Sequence, residues 1–367
     1  MSPPGLDIGD VLGGIRREIE RGAARTRNGI NYLAGAEWAP IGPTPSDVVW
    51  HEGKAELRHY RGTGPPRLGP PVIALGGLVG RAYIFDLVEN NSFVRFMLDA
   101  GFDTYVLDWG APDEQDAANT LDTYLAGYLR RAIRAAMRES GSEEVSIIGY
   151  CMGGTLALHG LAAQPDLPVR ALVAMAAPVD FRHLGPLVSS LADGRLDPES
   201  VLDETGNVPP ELLYSFFRIK KPTADLVQYV NLWQNLWNDE YMAGYQALGR
   251  CFRDQVPLPG GAWRDIAAQW IRENAFVTGR LRLSGRAVSL DALTLPVLVA
   301  IASRDELVPA PSALPLVELL HGTSAELLEL QAGHASLTTG RTAAQHTVPR
   351  MLGWLAEHSD ARSGVAA

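Results

Sequence analysis

Cys151 stands in Gly149-Tyr150-Cys151-Met152-Gly153, a setting in which a thiol could act as an exposed nucleophile. The residues before it, Val145-Ser146-Ile147-Ile148, are short and β-branched, as a buried strand should be; Gly154-Thr155-Leu156-Ala157-Leu158 after it reads as the start of a helix. A sharp strand-to-helix turn strains its central residue, and glycines two positions either side let the chains pass closely. A free thiol is mostly protonated at neutral pH, so such a cysteine needs a base, and the base needs an orienting carboxylate. Asp305, in Ser303-Arg304-Asp305-Glu306-Leu307-Val308-Pro309, and His334, in Ala332-Gly333-His334-Ala335-Ser336, each lie just past a predicted strand. The imidazole would take the thiol proton while the carboxylate fixes its tautomer. The oxyanion of an acyl transfer would meet the amide of Met152 and a second amide at Val79, in Gly76-Gly77-Leu78-Val79-Gly80. Asp180 also follows a strand end and is the alternative acid. His159 lies two turns along the elbow helix and is expected to pack, His183 near Asp180 could line the site, and Cys251 reads as a core or cap residue. No Cys/His cluster has zinc spacing and no Gly-rich loop has dinucleotide or P-loop form, so neither metal nor cofactor is expected.

Those three side chains must be carried by a sheet. Val72-Ile73-Ala74-Leu75, Thr104-Tyr105-Val106-Leu107, Ala171-Leu172-Val173-Ala174-Met175, Val297-Leu298-Val299-Ala300-Ile301 and Glu326–Leu330 read as strands beside the nucleophile strand. Helices are expected over Ser92–Ala100, Thr120–Met137, from Ala313, and over Thr347–Glu357, so strand alternates with helix as in a parallel sheet covered on both faces. Val48-Val49-Trp50 and Ala55–Tyr60 read as two edge strands, and Gly62–Pro71, with its prolines and glycines, as a loop. Val11–Leu33 has helical spacing and many charges, and is expected to lie on the body or on a partner. The alternation lapses between about Asp180 and Ser289. This divides the chain into an N-terminal helical segment (1–45), a core (46–180 and 290–360) and a helical cap inserted at 181–289. No internal repeat is visible.

A chain of 367 residues, 46% hydrophobic and 20% charged, can bury a substantial core. Its net charge of −10 argues against a general nucleic-acid binder. Two cysteines make no disulfide framework, Met1–Asp10 lacks the basic start and apolar run of a signal peptide, and the apolar stretch Leu167–Val179 is short and broken by Arg170. A soluble, cytoplasmic protein without a transmembrane segment is expected.

Nucleophile, acid, then histidine is the chain order of the α/β-hydrolase fold. Within that fold the chain resembles the polyhydroxyalkanoate synthases, most similarly the short, two-component class III type. The resemblance runs from Gly42-Pro43-Thr44-Pro45 and Val48-Val49 through Leu107-Asp108-Trp109-Gly110-Ala111-Pro112 and the Cys151 box. It continues through Ala177-Pro178-Val179-Asp180-Phe181 and Glu273-Asn274 ahead of Gly279, to Asp305-Glu306-Leu307-Val308-Pro309 and Gly333-His334. It implies a triad of Cys151, His334 and Asp305, and polymerisation of (R)-3-hydroxyacyl-CoA with release of CoA. It further implies homo-oligomers, a polyester granule surface as a partner, and leaves room for a second synthase subunit. The family usually has His after the catalytic Asp, where this chain has Glu306; after the catalytic His it has a larger apolar residue and Gly, where this chain has Ala335 and Ser336. The loop at Gly76-Gly77 is also unusual.

Cysteine suits that reaction, because thiolate attack on an acyl-CoA exchanges one thioester for another and keeps the acyl group activated. Transfer to a hydroxyl is then downhill, whereas from a serine ester it would be nearly thermoneutral. Of Trp233, Trp237, Tyr241, Tyr245, Trp263 and Trp270, most should form cap core and a subset should line an apolar tunnel that excludes water. The alternatives are a cysteine-nucleophile hydrolase (an acyl-CoA thioesterase or an intracellular polyester depolymerase) and a catalytically silent granule-associated homologue.

Overall fold

A computed structural model describes residues 8–36, 39–219 and 224–361; most of the Met1–Asp10 stretch read for a signal peptide lies outside the described residues. The main sheet has nine strands: β1 (Ser46–Glu52), β2 (Ala55–Tyr60), β3 (Leu68–Leu75), β4 (Phe102–Asp108), β5 (Val145–Tyr150), β6 (Val169–Met175), β7 (Val297–Ala302), β8 (Ala325–Leu330) and β9 (Asp360–Ala361). Their spatial order is β1-β2-β4-β3-β5-β6-β7-β8, with β9 paired to β3. From β4 to β8 every neighbouring pair is parallel, while β1, β2 and β9 join antiparallel. Helices on both faces explain why Val72–Leu75 and the whole of β5 are buried: such strands have no solvent side and read as continuous apolar runs.

Two expectations at one end of the sheet need correction. β1 is an edge strand, but β2 is not, since it pairs with β1 on one side and β4 on the other. The Gly62–Pro71 segment is not all loop, because β3 begins at Leu68. Its prolines fit there because the register against β4 shifts between Leu68 and Val72, leaving a stretch that need not donate to the ladder.

Helix α1 (Ile8–Leu33) lies against later helices through Arg27 and Asn28, both bonded to Asp239. It leaves Leu12, Ile15, Ile19 and Leu33 exposed. α2 (Phe93–Asp99) is capped by Ser92, whose hydroxyl takes the Arg95 amide and donates to Asp86. Asp86, fully buried, also accepts from the amide and hydroxyl of Thr44, which is how the Gly42–Pro45 motif is anchored. α3 (Arg130–Ser140) continues a π-helical stretch from Thr123 to Leu129. α4 (Met152–Ala163) follows β5 and is buried from Gly153 to Ala162, so it is enclosed on all sides, as its largely apolar sequence requires.

Among the described residues no strand of the main sheet lies between Met175 and Val297. That interval holds α5 (Pro186–Ala192), α6 (Pro210–Ile219), α7 (Ala224–Asn235), α8 (Asp239–Arg253) and α9 (Gly260–Asp265), the last running on as a π-helical stretch to Arg272. Between β8 and β9 lies α10 (Val348–Glu357). No helix among the described residues is long and apolar enough to cross a membrane.

Candidate active site

β5 delivers Cys151 to the head of α4 with φ 56° and ψ −127°, a left-handed backbone that costs a non-glycine residue of order 1–3 kcal/mol and persists only where the surroundings enforce it. The surroundings do. The Cys151 amide donates to the Met175 carbonyl of β6 at 2.8 Å, and the Cys151 carbonyl accepts from Gly154 at 3.0 Å. The flanking glycines sit where no β-carbon fits. One on Gly149 would strike Gly154, one on Gly153 the Leu75 carbonyl, and one on Gly154 the Ala177 methyl group.

The loops after β7 and β8 bring the other two residues to the same place. Asp305 and His334 are buried, with His334 Nδ1 2.7 Å from Asp305 Oδ2. The second carboxylate oxygen accepts the amides of Leu307 and Val308 at 2.9 and 2.8 Å, so the group is fixed from both sides. Cys151 and His334 line the same cavity. Burial alone would lower the basicity of the His334 imidazole, but the neighbouring Cys151 side chain and the bond to Asp305 hold it well above its usual range.

Asp180 has other commitments. Its carboxylate takes the backbone and guanidinium of Arg182 and the Asn274 side-chain amide, and these outweigh burial to keep it ionised. Asn274, in left-handed conformation, also accepts the Phe181 amide, so the Glu273-Asn274 and Asp180-Phe181 motifs form one structural knot. His183 is half exposed and lies 3.7 Å from Asp180. Cys251, on α8, is buried, and burial pushes its thiol up to about 12.

His159 is packed inside the elbow helix with no exposed surface. The Trp270 indole donates to its Nδ1 at 3.3 Å and its Nε2 faces the Arg282 carbonyl at 3.1 Å, an arrangement that suits the neutral Nε2–H tautomer. Burial accordingly pushes it down to about 4. The unfolded chain therefore binds a proton below about pH 6.5 that the native state refuses until about pH 4, and stability falls as pH falls through that window. The expected loss is about 3 kcal/mol by pH 4, at about 1.4 kcal/mol per unit. Urea melts of the protein and of His159→Gln between pH 7 and 4 measure it; an equally steep fall in both would show that the protons go elsewhere.

Two further residues support the site, and sequence reasoning gave neither a role. Tyr150 stacks on the His334 ring, with centroids 5.0 Å apart, and its hydroxyl donates to the His334 carbonyl at 3.2 Å. The Trp109 indole donates to the Gly76 carbonyl at 2.9 Å and so fixes the start of the loop that carries Val79. Gly110 beside it has φ 78°, and a β-carbon there would overlap the Lys54 carbonyl, which accounts for the glycine of Asp108-Trp109-Gly110. That loop passes the head of α4, where the Met152 amide is among the N–H groups without a helical partner. Val79 lines the same cavity as Cys151 and His334.

The cavity measures about 270 Å³. Its far wall comes from the 181–289 interval, but of the six aromatics singled out there only Trp263 lines it. Trp233 is exposed, Trp237 lies under Arg21, Tyr241 and Tyr245 stack on each other, and Trp270 is buried beside His159. The rest of that wall is mostly leucine, valine and isoleucine, with Phe181, Cys251, Phe252 and Gln255 among them.

Residues 70–340 match the alpha/beta hydrolase fold family. Est1E from Butyrivibrio proteoclasticus has a similar fold, with a TM-score of 0.50 and 15% identity over 85% of this chain and 98% of that one. In sequence the chain is 32% identical over 332 residues to the poly(3-hydroxyalkanoate) polymerase subunit PhaC of Allochromatium vinosum, covering 90% of this chain and 93% of that protein. It is 30% identical to the PhaC subunit of Thiocystis violacea (94% of this chain, 97% of that protein) and 30% identical to that of Haloferax mediterranei (94% and 71%). With cysteine at the elbow of a hydrolase sheet and a third of its residues shared along nearly the whole length, the chain belongs to the poly(3-hydroxyalkanoate) polymerase family, enzymes of the acyltransferase type.

Proposed function

We propose that the protein polymerises (R)-3-hydroxyacyl-CoA through a triad of Cys151, His334 and Asp305. The observation that carries this reading is the cysteine at a strained elbow, in one cavity with a buried imidazole that a carboxylate holds at 2.7 Å. The Cys151 sulfur attacks the thioester carbonyl, and the Met152 and Val79 amides receive the oxyanion. The carbon–sulfur bond to CoA breaks, and His334 returns its proton to the departing CoA sulfur. The acyl group now rests on Cys151 as a thioester. His334 next takes the proton of an incoming hydroxyl, whose oxygen attacks; an ester forms, and Cys151 leaves with a proton. Asp305 orients the imidazole and stabilises its charged form throughout.

The 181–289 segment acts as a cap that keeps water from the acyl-enzyme. A cytoplasmic setting, self-association, a second synthase subunit and the polyester surface belong to the same proposal, supported by the apolar Leu12, Ile15 and Ile19 that α1 leaves exposed.

Mass spectrometry of products from (R)-3-hydroxyacyl-CoA, with and without a candidate second subunit, tests the reading. Ester-linked oligomers or polymer are expected alongside free CoA, because a positioned hydroxyl outcompetes water by its effective concentration. Stoichiometric free hydroxy acid under both conditions would replace the polymerase with a thioesterase.

A further inference from the structure

We infer that Arg81 is a specificity-determining residue of this site: its guanidinium takes the 3-oxygen of the acyl group held on Cys151, and so separates 3-hydroxyacyl thioesters from plain acyl thioesters. The inference rests on the functional reading above and concerns one donor in the cavity. Arg81 lines that cavity with Cys151 and His334. Its Nε–H is buried and has no hydrogen-bond partner. The other polar side chains of the wall are occupied. Tyr150 donates to the His334 carbonyl at 3.2 Å, Thr155 to that of Pro178 at 2.8 Å, and Trp263 to that of Pro198 at 2.8 Å. The Gln255 amide donates to the Cys251 and Phe252 carbonyls at 3.1 and 3.3 Å. Cys251 carries a protonated thiol, which is only a weak donor. Among the described residues of this wall outside the triad, Arg81 therefore holds the strong side-chain donor that lacks an acceptor.

Its position fits an acyl oxygen. Arg81 is two residues beyond Val79, so the two Cα atoms lie within about 7 Å of each other. The chain is fixed on both sides of it: the Val79 carbonyl accepts the Val256 amide at 3.0 Å, and the Arg81 carbonyl accepts the Ile84 amide at 3.1 Å. The guanidinium is directed inward, since its charge acts on the buried Cys251 thiol. Asp254, whose charge acts on the same thiol, takes the Tyr83 hydroxyl at 2.9 Å. With the thioester carbonyl at the Val79 amide, the oxygen on C3 lies within about 4 Å of the carbonyl carbon, close to the residue that follows. A guanidinium only donates and stays charged, so it suits the lone pairs of a hydroxyl or ester oxygen. A buried donor left without an acceptor is costly, and a site built to bond a hydroxyl rejects the analogue that lacks it.

The test uses butyryl-CoA, which keeps the thioester and the CoA of (R)-3-hydroxybutyryl-CoA and lacks the 3-hydroxyl. With enzyme in excess, the CoA released in the first turnover reports acylation of Cys151, whatever the acyl group does next. The native protein should acylate at least about tenfold faster with the hydroxybutyryl thioester. Arg81→Met, an apolar side chain, should slow the hydroxybutyryl reaction roughly 10- to 100-fold, as for one hydrogen bond to a charged donor, and the butyryl reaction by less than about threefold. Arg81→Lys, which keeps a cation but not the planar fork, should recover part of the ratio. Equal losses on both thioesters, the result if Arg81 held CoA or only the loop, overturn the inference and leave the functional reading standing. A native ratio near one overturns it without any variant. Free hydroxy acid in place of polymer, with the discrimination intact, overturns the functional reading and keeps the Arg81 contact. No CoA release from either thioester removes both.

Discussion

Cys151→Ala should reduce CoA release from (R)-3-hydroxyacyl-CoA by about 10⁴-fold or more, because residues of a triad act as a unit and what survives is only the contribution of binding and the oxyanion amides. The fold should persist. Alanine removes the sulfur without touching the Cys151 amide that bonds Met175 or the carbonyl that bonds Gly154. It also accepts φ 56° on the same terms as cysteine, since both carry a β-carbon. Cys251→Ala should keep most of the activity: its thiol is pushed up to about 12, is protonated at neutral pH, and belongs to an apolar cluster with Leu87, Val88 and Ala247. Thermal melts and CoA assays on the two variants check this together. The opposite pattern, an active Cys151→Ala and a silent Cys251→Ala, would move the nucleophile.

Asp305→Asn should lower turnover by roughly 10³- to 10⁴-fold while binding of substrate changes little. An amide in that place can still sit 2.7 Å from His334 Nδ1, but it can present its N–H₂ to the ring and favour the wrong tautomer, and it cannot balance an imidazolium. Asp180→Asn should cost far less activity, and its effect should appear in melting temperature, because that carboxylate ties Arg182 to Asn274. Measuring kcat and Tm for both variants separates the roles. A larger kcat loss at Asp180 would transfer the acid to that position.

Much of this arrangement was legible in the sequence because burial and backbone strain leave strong marks. Strands enclosed on both faces must be apolar throughout, so Val72–Leu75 and Val297–Ile301 could be read directly. The elbow announced itself through glycines forced by contact. β2 was misplaced at an edge because its alternating pattern is equally consistent with a pairing partner on one side or two, and its second partner, β4, lies more than forty residues further on. The aromatics of the 181–289 interval were legible as a helical pattern, but which face meets the cavity depends on how the helices dock. Trp109 and Tyr150 gave no signal of their tasks, since each donates to a backbone carbonyl, a partner that carries no residue identity.

The glycine contacts at the elbow divide the two walls of the cavity by their tolerance of mutation. On the core side Gly149, Gly153 and Gly154 each abut backbone or a packed methyl, and a β-carbon on Gly77 would press on Met152 at 3.0 Å, so almost any exchange costs the fold before it alters the chemistry. On the side built by the 181–289 interval the wall is mostly leucine, valine and isoleucine, which can be traded for one another at modest cost. Random sequence drift would therefore be filtered unequally. Lineages or directed libraries could wander in the size of group accepted while the cradle of Cys151 stayed as it is, and selection for a new substrate would draw its variation from α5, α6 and α9.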